Sequence, residues 1–158
     1  MYRLAFAAVL TVTALPAIAE DGHDHLAEAD GLRILHAWTP ATAGPDALIY
    51  MEIENGSDRT LTLSGARTEG GQAARLVGFA YADGVETWQP LPDMPIAAGQ
   101  DLDLTPRGLA LQMSGLNDPL ARGDTLPIEV MFGDLHLDVG VEVEAEDASA
   151  HSHAGHSH

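Results

Sequence analysis

The stretch Thr125-Leu126-Pro127-Ile128-Glu129-Val130-Met131-Phe132-Gly133-Asp134-Leu135-His136-Leu137-Asp138-Val139 reads as two alternating runs joined at Gly133-Asp134. Gly-Asp is a two-residue hairpin signal, because glycine reaches the positive φ that so tight a turn needs. Pairing outward from the turn sets Phe132 opposite Leu135, Val130 opposite Leu137 and Ile128 opposite Val139, all on one face. The other face then carries Met131 opposite His136 and Glu129 opposite Asp138. Side chains that repeat every second residue, with one apolar face, describe an antiparallel hairpin lying on a core. A thioether beside an imidazole is a soft donor pair for Cu(I), and equally an ordinary solvent-facing pair.

The same period runs outward through the chain. Ile34, His36 and Trp38 alternate with Leu35 and Ala37; Ala47, Ile49, Met51 and Ile53 alternate with Leu48, Tyr50, Glu52 and Glu54, ending at the turn Asn55-Gly56-Ser57. Further runs cover 60–64, 75–81, 85–89, 100–104 and 108–114, and the second arm of the hairpin extends to Glu144. Short alternating runs separated by Gly, Pro, Asn and Asp predict an all-β antiparallel sandwich. No long segment carries a helical stripe, and Asn117 to Ala121 has room for one helical turn at most.

The flanks differ in composition. Residues 1–19 have the shape of a secretory signal peptide: Arg3, an apolar run, and the small-x-small site Ala17-Ile18-Ala19. Residues 20–31 form a polar arm, 32–144 the sandwich domain, and 145–158 an acidic linker and histidine-rich tail. Both ends read as disordered, being too poor in apolar residues to be held in a core. Export to the periplasm and no later membrane span are the expectations. The absence of cysteine excludes disulfides, thiolate ligands and acylation at a lipobox cysteine.

The formal charge is −17, and loss of Arg3 leaves six arginines against 24 acids, or −18. With no lysine, such a surface repels nucleic acid and anionic lipid, and it draws cations and basic partners. Against that background the placement of the eight histidines stands out. His23 and His25 lie in the first arm; His151, His153, His156 and His158 lie in the tail; only His36 and His136 belong to the domain. Histidine-rich tracts of small residues read as metal sites, since neutral imidazole ligates Cu(II), Zn(II) and Ni(II). The predicted ligands are therefore His23, His25, His151, His153, His156 and His158, with copper or zinc as the metal. Cleavage one residue later would begin the chain Asp21-Gly22-His23, whose amine, amides and imidazole suit square-planar Cu(II) or Ni(II).

Scaffold motifs bring a family into view. Ala98-Gly99-Gln100-Asp101-Leu102-Asp103-Leu104-Thr105-Pro106-Arg107-Gly108-Leu109, Tyr50 to Asn55, Gly115-Leu116 with Pro119-Leu120, and Gly123-Asp124 before the strand to Phe132 resemble the PCu(A)C-type periplasmic copper chaperones. The resemblance implies a cupredoxin-like sandwich that carries copper to a periplasmic acceptor, such as a cytochrome oxidase assembly component. It also implies a His/Met copper site. Aligning Pro106-Arg107-Gly108 with the family's Pro-Gly-Gly lays the four ligand positions on Val77, Trp88, Ala110 and Gln112, none of them a useful Cu(I) donor. The chain therefore reads as a divergent member whose metal chemistry has moved to its tails.

Two other classes are weighed beside this one. A non-metallated recognition module would use Phe79, Tyr81, Trp88 and the Pro90-Leu91-Pro92 loop as its partner surface. Catalysis has little to rest on: there is no Gly-x-Ser-x-Gly, His-Glu-x-x-His or phosphate loop. Paired acids such as Asp101/Asp103 and Glu142/Glu144 are expected to be solvated strand faces.

Overall fold

The computed structural model describes residues 26–151. Twelve strands follow one another: β1 (Leu26–Ala29), β2 (Leu32–Pro40), β3 (Asp46–Asn55), β4 (Leu61–Leu63), β5 (Gly65–Arg67), β6 (Ala73–Ala82), β7 (Val85–Pro90), β8 (Met94–Ile96), β9 (Gln100–Leu104), β10 (Leu109–Ser114), β11 (Thr125–Phe132) and β12 (Leu135–Glu144). No helix occurs among the described residues, and 117–121 is irregular apart from a bridge between Leu120 and Thr42. The all-β reading holds.

The terminal hairpin has the register its sequence dictates. β11 and β12 pair Phe132 with Leu135, Val130 with Leu137, Ile128 with Val139, Met131 with His136 and Glu129 with Asp138. Gly133 takes φ +65° at the turn. Ile128, Val130, Phe132, Leu137, Val139, Val141 and Val143 are all buried. All but Val143 join the main core with Leu32, Ile34, Ile49, Met51, Ile53, Leu111 and Met113.

Hydrogen bonding passes around the sandwich from β2 through β12, β11, β5, β6, β10 and β3 and back to β2. β1 and β9 extend its edges, and β7 folds back on β6. One pairing departs from the antiparallel pattern: β12 runs parallel to β2, with Glu142 opposite Trp38. The expected polar arm 20–31 is also ordered in part. Leu26–Ala29 pairs with β2 through the turn at Asp30-Gly31, whose φ values of +52° and +79° suit a tight hairpin. Leu26 is exposed, but Ala27 and Ala29 pack against the core, which rewards the added strand.

Two of the motif residues now have structural reasons. Asn55, wholly buried at the end of β3, donates from Nδ2 to the carbonyls of Arg59, Ile96 and Ala97, and Oδ1 accepts from Ser57. It ties three stretches of backbone that would otherwise leave polar groups unpaired. Arg107 holds φ +59° in the turn closed by Gly108 N–H donating to the Thr105 carbonyl. That left-handed position explains a glycine preference there.

Candidate metal centre

Strand β12 presents Glu142 and Glu144 on the face away from Val141 and Val143, because residues two apart share a side. Beyond Glu144 the chain bends back, with Ala148 N–H donating to the Ala145 carbonyl. Ala148 then packs against a second apolar cluster, formed by Trp38, Tyr50, Val77 and Ala110 with Leu48 and Trp88. That contact delivers His151 onto the two glutamates. Its Nδ1 lies 3.2 Å from Glu144 Oε1 and its Nε2 lies 3.7 Å from Glu142 Oε2. One ligand atom from each of the three side chains falls within 4.8 Å of the others. The His151 side chain is 5% exposed and that of Glu144 9%, while Glu142 at 25% opens the group to solvent.

A second imidazole stands alongside. His36 occupies an irregularity where the β2–β3 register shifts between Leu35 and Trp38. It has φ +50°, unusual for a residue with a Cβ. The shift splits the alternation: Ile34 and Ala37 belong to the main core, whereas Trp38 belongs to the second cluster. His36 thereby comes beside the returning segment, its ring centre 5.8 Å from that of His151. Its Nδ1 is 3.4 Å from Glu52 Oε1. Both imidazoles line a pocket of about 350 Å³, together with Trp38, Glu52 and Pro106. Three carboxylates against two imidazoles make this a place where a divalent cation is attracted and can be ligated.

Of the predicted ligands, His151 belongs to this cluster. His23, His25, His153, His156 and His158, and with them the Asp21-Gly22-His23 alternative and the signal peptide, lie outside the described residues. Glu142 and Glu144 require a correction. The expectation of a solvated face fails because the segment after β12 returns to cover it, leaving Glu144 buried. Period-two acids carry no mark of that return; the only sequence signal was a histidine seven residues beyond Glu144. Asp101 and Asp103 are exposed as expected. His136, opposite Met131, places its Nδ1 2.8 Å from Glu129 Oε1, and the same carboxylate accepts from Arg67 Nε. These two bonds, Arg67's first, hold the Glu129 carboxyl below its ordinary value.

Three of the four positions that the family resemblance assigns to copper ligands, Val77, Trp88 and Ala110, are used for packing. Val77 and Ala110 face one another across β6 and β10, both fully buried, and Trp88 packs on them. Trp38 and Tyr50 complete the layer with ring centres 4.9 Å apart. Burial pushes the Tyr50 phenol above its ordinary pKa, so it stays neutral. This set offers no soft donors and does not fit the family's His/Met site. Trp88 is thus half-buried and in edge contact with Phe79, while Tyr81 and Val85, near the tip of the β6–β7 hairpin, are exposed. Another cavity, of about 690 Å³, lies elsewhere, between Arg67, Glu129 and Asp138. Its walls hold no histidine; Arg67 pairs with Glu129, and Glu69 and Asp138 add two further carboxylates.

The fold and this cluster together describe a β-sandwich with a histidine–carboxylate site at one end. The family model described as "Putative lipoprotein LpqE-like" matches residues 32–146, and the chain belongs to that family. "Putative lipoprotein Lxx21020" of Leifsonia xyli subsp. xyli (strain CTCB07) is 27% identical over 108 residues, which are 68% of this chain. The match spans 65% of that relative's length. Among solved structures, the copper-bound PCuAC domain from PmoF2 superposes with a TM-score of 0.64 at 16% identity, covering 77% of this chain and 98% of the domain. The apo PCuAC domain from PmoF1 gives 0.63 at 21% identity, covering 77% and 99%. The sandwich is therefore the cupredoxin-like fold of PCuAC domains.

Proposed function

We propose that this protein is an exported, envelope-associated metal carrier that captures copper or zinc through the histidines of its C-terminal end and hands the ion to an acceptor. The carrying observation is His151, the first histidine of the tail, seated within 4.8 Å ligand-atom spacing of Glu142 and Glu144. A site spread between a domain and a histidine-rich end suits transfer, since ligands can be exchanged one at a time. The PCuAC fold favours copper as cargo; the donor set accommodates zinc equally well. The lipoprotein family supports an envelope location, and the first nineteen residues support export through the membrane. Carriage rather than catalysis fits a site whose side chains include no activated nucleophile.

Titration of Cu(II), Zn(II) and Cu(I) into the chain from Glu20, compared with a chain ending at Ala150, tests this. Loss of at least one bound ion on truncation is the expected result. Identical stoichiometry and affinity in the two would refute it.

A further inference from the structure

We infer that His36 is a ligand of the same centre, giving two imidazoles and two carboxylates (His36, His151, Glu142 and Glu144) that select a divalent ion over Cu(I). This rests on the metal-carrier reading above and adds a named residue and a class of cargo.

Three observations converge on His36. The first is spacing. At Zn–N bonds of about 2.1 Å a metal sits about 3.2 Å from the centre of each ligating ring, so two imidazoles on one tetrahedral ion stand about 5–6 Å apart. The His36 and His151 ring centres are 5.8 Å apart. The second is the backbone. A left-handed residue in a strand carries a conformational cost and is found where surrounding structure fixes a side chain for a purpose. At φ +50° His36 is turned out of the alternation that would have buried it with Ile34. The third is the partner of its other nitrogen. Nδ1 lies 3.4 Å from Glu52 Oε1, the arrangement in which a carboxylate orients a ligating imidazole and fixes its tautomer. The metal would then meet Nε2, with the His36 side chain turned toward the group of three.

The donor types settle the cargo. Two carboxylates neutralise a 2+ ion, and imidazole is a borderline donor that suits Zn(II) and Cu(II). Cu(I) prefers thiolate and thioether. The chain has no cysteine, and Met51, the methionine beside the pocket, is 2% exposed within the main core.

The test uses the full mature chain with His23, His25, His153, His156 and His158 replaced by Ser, so that the centre is read without the other histidines of the two ends. Zn(II) affinity is measured by competition with a chromophoric chelator, and Cu(II) binding by the nitrogen hyperfine pattern of its electron paramagnetic resonance spectrum. One ion bound, two nitrogen ligands, and Zn(II) binding at least about a hundredfold tighter than Cu(I) are expected. His36→Asn, which retains a residue tolerant of the left-handed region, should weaken Zn(II) about tenfold or more and leave one nitrogen. Glu52→Gln should weaken it less and keep both, a split that a merely structural role for His36 does not produce. Unchanged affinity and nitrogen count in His36→Asn, with binding lost in His151→Asn, would overturn the role of His36 and leave the carrier reading standing. Cu(I) bound as tightly as Zn(II) would overturn the selectivity. No metal bound by the chain with its tail intact would defeat the carrier reading itself.

Discussion

Replacing Asn55 by Ala tests the packing logic of the whole sandwich. Oδ1 accepts from Ser57 N–H at 3.1 Å and Ser57 Oγ at 2.6 Å, and Nδ2 donates to Ile96 O and Arg59 O, each at 2.9 Å, with Ala97 O at 3.1 Å. An amide nitrogen has two hydrogens, so at most four of these five bonds are complete at once. At about 1 kcal/mol net for each, their loss costs about 4 kcal/mol if nothing replaces them. The groups on Ser57 and Arg59 lie in an exposed turn and can rebond to water, whereas the contact to Ile96 O is buried. The expected cost is therefore about 2–4 kcal/mol. At about 4 °C per kcal/mol for a domain of this size, the melting temperature should fall by about 8–16 °C. Thermal and urea unfolding, followed by circular dichroism, read it directly, and the urea m-value should not change. Asn55→Asp separates the two halves of the network: it keeps the bonds from Ser57 but loses the donors, and it should be at least as unstable as Asn55→Ala. A fall of less than about 3 °C in Asn55→Ala would show that Asn55 is not the tie described.

Other perturbations follow from the same structure. Gly65→Ala would set a Cβ 2.5 Å from the Ala74 carbonyl oxygen at φ +133°, so the seam between β5 and β6 must shift; a loss of about 2–4 kcal/mol in chemical unfolding is expected, and a neutral result would refute the close approach. Because the folded Glu129 carboxyl titrates below its unfolded value, its contribution is fully present above the unfolded pKa and disappears as pH falls through the folded one. Arg67→Gln should therefore flatten the acid limb of stability against pH, and His136→Gln should do so less, since Arg67 is the larger cause; equal effects would invert that order. Metal titration of the truncated chain and the His36 series complete the set.

Much of the fold was legible because alternation is a local property. The registers of β11 and β12 follow from the turn at Gly133-Asp134 and a single apolar face, and a slip of one residue would bury Met131, His136 and Asp138 instead. β1 was not legible: four residues of mixed polarity carry too short a pattern to set against the acids around them. The shift at His36 was not legible either, since nothing in Leu35-His36-Ala37 announces a left-handed residue. The unusable ligand positions at Val77, Trp88 and Ala110 were visible in sequence, and the structure adds that they form one apolar layer with Trp38 and Tyr50.

The sequence by itself determined an all-β sandwich, a strongly acidic surface, the lack of a His/Met copper site, and His151 as a candidate ligand. These depend on residue type and on neighbours one or two positions away. Only the tertiary structure decided that Glu142, Glu144 and His151 meet at one place, with His36 beside His151. Two of them lie on one strand, one on a strand more than a hundred residues earlier, and one on a segment that folds back because Ala148 finds the Trp38–Tyr50 cluster. Contacts between residues so far apart in the chain are fixed by how strands pair and what the returning segment covers, and no local pattern encodes them.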